Sequence, residues 1–179
     1  MNQASQTATR RYNSVAKALH WAIALLIFAQ FAIAWTMPEV HKGTLPVGEI
    51  HWHIVVGILI LLLVAVRIVW RVVRPPLTVG VESGLQHRIA QLTHGVLYLC
   101  MLVVPVLGWA NANARDWSAE LCTGFGLPKI MATGDRFGLD LGDVHGTLAT
   151  VMLVIIGLHV AAGLYHHIVL KDDTLQRMR

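Results

Sequence analysis

The chain of 179 residues is 55% apolar and only 13% charged, with a formal net charge of +4. Soluble globular domains carry about 25% charged residues, so this composition excludes an ordinary soluble domain and predicts an integral membrane protein. Four spans of about 20 to 25 residues would use nearly the whole length, so we expect a single transmembrane domain over residues 1–179.

Four long apolar stretches predict an all-α membrane protein, a bundle of four transmembrane helices. The expected helices cover residues 14–37, 51–73, 85–110 and 144–170. Ser14 and Asp143 are the expected N-caps of the first and fourth helices, and Pro105 should kink the third. Arg10 and Arg11 resemble a twin-arginine signal, but the apolar stretch that follows is too long for one, so we expect a retained first helix.

The segment between the third and fourth helices, residues 111–143, is the only extended hydrophilic part of the chain. Because it is longer than ordinary connections, we expect it either to pack as a cap over one end of the bundle or to form a surface for a partner. Its mixed, glycine-rich composition does not distinguish these two roles.

The distribution of positive charge predicts the orientation. One side of the membrane receives both termini and the turn between the second and third helices, and with them ten of the fourteen lysines and arginines: Arg10, Arg11, Lys17, Arg67, Arg71, Arg74, Arg88, Lys171, Arg177 and Arg179. Cytoplasmic loops are enriched in these residues, so we expect both termini in the cytoplasm. The positive charge is therefore a topology signal, and no binding of nucleic acid is predicted.

Ten histidines in so apolar a chain require an explanation, because ionisable groups inside a bilayer are costly and usually serve a function. His145 and His159 are fourteen residues apart, which places them within about 40° of one helical face and about 21 Å apart along the axis. This spacing suits ligands to two stacked cofactors. Two opposing imidazoles form a six-coordinate haem centre suited to electron transfer. No Cys-x-x-Cys-His motif occurs, so haem of the c type is not expected.

Each of two haems would need a second histidine at the same depth. His53 is expected to pair with His145 on the periplasmic side, and His20 with His159 on the cytoplasmic side. His51 competes with His53, but the two lie about 200° apart around a helix, so only one can face the interior. Gly57, one turn beyond His53, favours His53 because it leaves room for a porphyrin edge, although such glycines also simply allow close helix packing.

Residues near the cytoplasmic end suggest a quinone site. His94 could replace His20 as a ligand or donate a hydrogen bond to a quinone carbonyl. His166, Arg71 and Lys171 would supply the basic surroundings in which a quinone collects protons together with electrons. The alternative is that such residues simply lie at the headgroup interface.

With these residues in place, the chain resembles the bacterial cytochrome b561 family, which includes superoxide oxidase. The matching stretches are 18–21, His53 with Gly57 and Arg67, 93–98 with Pro105 and Gly108, 144–148, 157–159, 166–167, 171–175 and 177–178. The resemblance implies a bacterial inner-membrane protein with two haems b, ligands at His20, His53, His145 and His159, and ubiquinone at the cytoplasmic end. Gln91 and Val169 depart from residues that some members carry near the quinone.

These observations predict an oxidoreductase that passes electrons from superoxide, or from another periplasmic donor, to ubiquinone. Cations near the outer haem, namely Lys42, Arg115, Lys129 or Arg136, could steer the superoxide anion inward. The alternative is a non-catalytic cytochrome b subunit, in which the long outer loop docks a periplasmic redox partner. A transporter that binds metal through histidines is a third possibility.

Overall fold

A computed structural model describes residues 14–74, 84–117 and 128–172. In these ranges the helices are α1 (Ser14–Thr36), α2 (Glu49–Val73), α3 (Leu85–Ala114) and α4 (Arg136–Tyr165), and α4 continues into a π-helical turn, His166–Leu170. All four helices are long and apolar enough to cross a membrane, which confirms the predicted fold class. Arg10, Arg11, Cys122, Arg177 and Arg179 lie outside the described residues, as do residues 118–127 of the predicted long loop.

The four helices run alternately up and down, and each packs against the next in the chain: α1 on α2, α2 on α3 and α3 on α4. We call the end with Thr36, Glu49, Ala114 and Arg136 the loop face, and the end with Ser14, Val73, Leu85 and Leu170 the termini face. Within the described residues, no comparable packing joins α1 to α4. Close packing therefore joins three of the four pairs of neighbouring helices, and the pair α1 and α4 is packed more loosely.

A small apolar core holds α1 and α2 together near the middle of the bundle. Ile23 and Ile27 of α1 pack against Ile60 and Val64 of α2, and Val64 is fully buried. Many other apolar side chains point outward, for example Leu25, which is 69% exposed. This pattern is expected where lipid is the solvent, because apolar side chains gain little from avoiding it.

The fourth helix begins at Arg136, two turns before the predicted start at residue 144, so the predicted N-cap at Asp143 is wrong. Asp135 is the N-cap, and its side chain accepts a hydrogen bond of 2.8 Å from the Gly138 backbone N–H. The segment 136–143 contains two glycines and two aspartates, which are poor helix formers. Its helical structure therefore depends on tertiary contacts.

Those contacts come from the last turn of α3, which also extends beyond its predicted end at residue 110. Asn111 donates hydrogen bonds from Nδ2 to the carbonyl oxygens of Gly138 (3.1 Å) and Leu139 (2.9 Å). A Cβ added at Gly138 would lie 2.7 Å from the Ala114 Cβ, so only glycine allows this approach. The extended ends of α3 and α4 thus stabilise each other.

The described part of the predicted long loop packs as a cap over the loop face. Trp117 is buried against Ile50 and Ala112, and its indole N–H donates to the Thr44 carbonyl at 2.9 Å. The buried Asn113 accepts a hydrogen bond of 2.8 Å from the Ile130 backbone N–H. The connection between α1 and α2 is thereby attached to the end of α3.

Candidate cofactor-binding site

Near the loop face, one imidazole from α2 faces one from α4. The ring centroids of His53 and His145 are 5.9 Å apart, with the ring planes at 78°. Metal–imidazole bonds are about 2.0–2.1 Å long, so two rings on opposite sides of one metal have centroids about 6 Å apart. The spacing of His53 and His145 therefore suits two axial ligands of a single iron.

The His145 ring is held by the backbone of α3. Its Nδ1 lies 2.8 Å from the Val104 carbonyl oxygen, which can only accept, so Nδ1 carries the proton and donates it. That tautomer leaves the lone pair on Nε2, the atom that would bind a metal. A Cβ added at Gly108 would lie 3.0 Å from both Cε1 and Nδ1 of His145, so the glycine makes room for the ring.

The His53 side is held by Gln30 of α1, a residue that the sequence analysis missed. Gln30 donates from Nε2 to the His53 carbonyl oxygen at 2.9 Å. Gln30 Oε1 and His53 Nδ1 are both buried and lack a hydrogen-bond partner among the described residues. Buried polar atoms are rarely left without a partner, so this pair marks a place where a bound group would complete the structure. A polar amide inside an apolar helix was the available signal.

The two competing histidines at the start of α2 occupy different surroundings. His51 contacts the ring of its neighbour Trp52, with centroids 5.5 Å apart, whereas His53 faces His145. The structure thus brings His53 and not His51 to the loop-face pair. We call His53, His145, Gln30, Gly57 and Gly108 the loop-face tier.

A second group of histidines lies toward the termini face. The rings of His94 and His159 have centroids 5.3 Å apart, at 69°. His20 lies within electrostatic range of both, while its only ring contact in the described chain is with Trp21. The expected pair of His20 and His159 is therefore not in direct ring contact, because α1 and α4 are the two helices that do not pack closely.

Two arginines of α2 lie beside these histidines. Arg67 donates from Nε to the Tyr98 hydroxyl at 3.0 Å and from Nη1 to the Ala16 carbonyl at 2.8 Å. The Arg71 guanidinium lies over the Tyr98 ring, 5.8 Å from its centroid. Both arginines are within electrostatic range of His94. We call His20, His94, His159, Arg67 and Arg71 the termini-face tier.

The residues expected around a quinone divide into two groups. His94 and Arg71 lie in the termini-face tier, whereas His166 is bound to Asp172, with Nδ1 and Oδ2 2.5 Å apart, at the end of α4. Lys171 directly precedes Asp172 in the chain. Its φ of +53° is a left-handed conformation that lets the chain turn back toward His166. No described contact joins His166 or Lys171 to His94.

Both tiers fit a haem better than a bare metal ion. Among the described residues, no three metal-ligating side chains converge, and a bare ion such as zinc usually needs four ligands. A haem supplies four nitrogens of its own and needs only axial ligands from the protein. A Cβ added at Gly95, Gly146, Gly157 or Gly163 would meet nothing within 4 Å, so there is open space on the helices beside His94, His145 and His159.

Comparisons with known proteins agree with this chemistry. The sequence profile of the family described as prokaryotic cytochrome b561 matches residues 11–179. The chain is 33% identical to "Probable superoxide oxidase CybB" of Yersinia pestis, over 94% of this chain and 96% of that protein. It is 31% identical to "Cytochrome b562" of Cereibacter sphaeroides, over 93% and 94%, and 27% identical to "Cytochrome b561 homolog 2" of Escherichia coli K12, over 94% and 90%.

Proposed function

Because the chain belongs to the prokaryotic cytochrome b561 family of membrane electron-transfer proteins with b-type haem, we propose that it oxidises superoxide at the loop face and reduces ubiquinone at the termini face. The observation that carries the proposal is the facing pair His53 and His145, 5.9 Å apart. The relative in Yersinia pestis named as a probable superoxide oxidase supports the choice of donor.

In this proposal His53 with His145 would hold one haem iron, and His20 with His159 would hold a second. Each bound haem supplies reversible one-electron redox chemistry. The spacing of 5.3 Å between His94 and His159 is short for two rings that share one iron, which favours His20 as the ligand and leaves His94 beside the haem. His94 can then donate a hydrogen bond to a quinone carbonyl.

The proposed orientation places the termini face in the cytoplasm of a bacterium and the loop face in the periplasm. Among the described residues, the termini face holds six lysines and arginines: Lys17, Arg67, Arg71, Arg74, Arg88 and Lys171. Positive charge of this kind is retained on the cytoplasmic side. Superoxide formed in the periplasm would therefore meet the loop-face tier first.

The reaction balances when two superoxide anions each give up one electron to become dioxygen, and ubiquinone takes up those two electrons and two protons to become ubiquinol. At the loop face, Arg115 stacks on the Trp117 ring at 5.5 Å and offers a cation to the incoming anion. At the termini face, the hydrogen-bonded pair of His166 and Asp172 is the described group best suited to relay protons.

Rapid mixing of the purified protein in nanodiscs with superoxide and a ubiquinone analogue tests the proposal. We expect ubiquinol to form at one molecule per two superoxide anions, with haem reduction faster than spontaneous dismutation. The variant His145→Ala should lose this activity and serves as the matched control. Haem reduction no faster than dismutation in the unmodified protein would refute superoxide as the donor.

A second candidate function is favoured by the ordered cap on the loop face. The indole of Trp117 holds the connection between α1 and α2 to the end of α3, which gives a fixed surface suited to a protein partner. In that case the chain would relay electrons between a periplasmic redox protein and the quinone pool. Copurification of a partner that is lost in Trp117→Ala, with no activity toward superoxide, would support this second function.

A further inference from the structure

Arg67 places a charged guanidinium inside a membrane span without an acidic partner among the described residues. It lies half-buried, six residues before the end of α2, and donates two hydrogen bonds to neutral acceptors, the Tyr98 hydroxyl and the Ala16 carbonyl. A guanidinium has five N–H donors, so three remain for another acceptor. Charged groups at such a position usually pair with an opposite charge.

Arg71, one turn further along α2, adds a second guanidinium on the same face. It lies over the Tyr98 ring and, like Arg67, forms no ion pair in the part of the chain that the structure describes. Asp172 is the only described acidic residue at the termini face, and it is bound to His166. The other described carboxylates lie toward the loop face: Glu39, Glu49, Asp116, Asp135, Asp140 and Asp143.

Two guanidiniums next to three histidines, without a carboxylate bound to them among the described residues, form a site for oxyanions. The planar fork of arginine matches the geometry of a carboxylate or a phosphate. We propose that Arg67 and Arg71 bind the two propionate carboxylates of the haem held at the termini-face tier. This inference rests on the proposed function. This haem would then lie with its propionates toward the arginines of α2. The phosphate of an anionic lipid is the competing source of the same chemistry.

A comparison of haem b with its dimethyl ester, in which both propionate carboxylates are blocked, tests for a propionate site while Arg67 and Arg71 stay unchanged. The His145→Ala variant in nanodiscs, prepared without bound haem, offers the termini-face tier alone, and spectroscopic titration then gives the affinity for each compound. We expect haem b to bind about tenfold more tightly than the ester, a difference of about 1.4 kcal/mol. Equal affinity for the two compounds would refute the site.

Variants of Arg67 and Arg71 then show whether these two residues cause the preference for haem b over its ester. Arg71→Gln should reduce the tenfold preference for haem b to about twofold, and Arg67→Lys should reduce it further if the guanidinium fork is required. Arg74→Gln is the matched control, because Arg74 is an exposed arginine at the end of the same helix. A preference that survives both Arg67→Lys and Arg71→Gln would refute the assignment of these two residues.

The lipid alternative is tested by the composition of the nanodisc. If the arginines bind lipid phosphate, both compounds will bind equally and their affinity will change with the proportion of phosphatidylglycerol. We expect instead that the preference for haem b is the same in phosphatidylcholine with and without phosphatidylglycerol. Failure of the unmodified protein to bind any haem would refute the proposed function itself, whereas equal binding of haem b and ester would refute only the propionate site.

Discussion

The two tiers of histidines are built differently although both lie in the same bundle. At the loop-face tier, hydrogen bonds to backbone carbonyl oxygens hold both histidines: the Val104 carbonyl accepts from the His145 ring, and Gln30 donates to the His53 carbonyl. At the termini-face tier, three histidines share the space with Arg67 and Arg71. The first arrangement fixes the positions of two facing imidazoles, whereas the second brings two guanidiniums close to three histidines.

This difference fits a direction of electron flow. Positive charge nearby favours the reduced form of a redox centre, because reduction lowers the positive charge at the metal. Arg67 and Arg71, paired with the propionates as proposed above, should therefore give a haem bound at the termini-face tier a higher reduction potential than a haem whose propionates lack such partners. Electrons would then move from the loop face to the termini face, where the protons needed by a quinone are available.

The largest expected effect is the loss of one haem when one ligand is removed. His145→Ala should lower the haem content from two to one per chain and leave the termini-face haem spectrum intact, while His159→Ala should do the reverse. A pyridine haemochrome assay of each purified variant gives the stoichiometry. His51→Ala is the control and should keep both haems, because His51 contacts Trp52 rather than His145. Loss of both haems in His145→Ala would show that the tiers are not independent.

A comparison of His20→Ala with His94→Ala decides which of these two histidines is needed, together with His159, to hold the haem at the termini-face tier. We expect His20→Ala to lose the termini-face haem and His94→Ala to retain it but slow the reduction of quinone several-fold. The reason is that the His94 ring lies only 5.3 Å from His159, which is short for two ligands across one iron. Haem content and quinone reduction should be measured on the same preparations. A haem lost from His94→Ala and kept in His20→Ala would reverse the ligand assignment.

Much of this architecture could be predicted from the sequence. Long apolar runs define four spans, and the interval between His145 and His159 sets two depths in one helix. Helical phase indicated that only one of His51 and His53 can face the interior, and Gly57 favoured His53; the structure places the His53 ring, and not the His51 ring, against His145. These features are local, because they depend on residues within one helix.

Features that depend on contacts between helices could not be predicted in this way. The early start of α4 depends on Asn111 and Ala114 of α3, and the sequence of residues 136–143 alone gives no reason for a helix. Gln30 is recognisable as important only once α1 is seen against His53. Its amide was visible in the sequence, but its partner is a backbone carbonyl, which no side-chain pattern indicates.

A smaller effect is expected at Gly108, which lies against the His145 ring. An alanine there would place Cβ 3.0 Å from His145 Cε1 and Nδ1, so the ring would have to shift and weaken its bond to Val104. Loss of a hydrogen bond of this kind costs about 1 kcal/mol, which is about fivefold in haem affinity at the loop-face tier. Haem titration should show this change for Gly108→Ala and none for Gly84→Ala, where nothing lies within 4 Å. An effect on the termini-face haem would contradict the prediction.

A still smaller effect is expected for Gln30→Leu. The change removes the hydrogen bond to the His53 carbonyl and also removes the unpartnered Oε1, so the two effects partly cancel. Polar contacts between transmembrane helices contribute about 0.6 kcal/mol on average, and the net loss of stability should not exceed this. The clearer measurement is the reduction potential of the loop-face haem, which should change while that of the termini-face haem does not. An unchanged potential would mean that Gln30 only joins α1 to α2.

The smallest effect is expected at the surface of the cap, in Asp116. Hydrogen bonds from Lys129 and Thr133, together with the charge of Lys129, hold the pKa of the Asp116 carboxyl below its ordinary value. A lowered pKa means that the carboxylate stabilises the fold at pH above its ordinary pKa, and that this contribution is lost as the pH falls through the lowered value.

Asp116→Asn tests this contribution with little backbone strain, because Asp116 has a φ of +60° and asparagine tolerates that conformation well. We expect a slightly lower melting temperature for the variant at pH 7 and no difference from the unmodified protein at a pH below the lowered pKa of Asp116. Haem content should be unchanged at both tiers, because His145 and His53 are held by α3 and α1 rather than by a solvated ion pair. A haem lost from Asp116→Asn would show instead that the cap holds His53 and His145 in place.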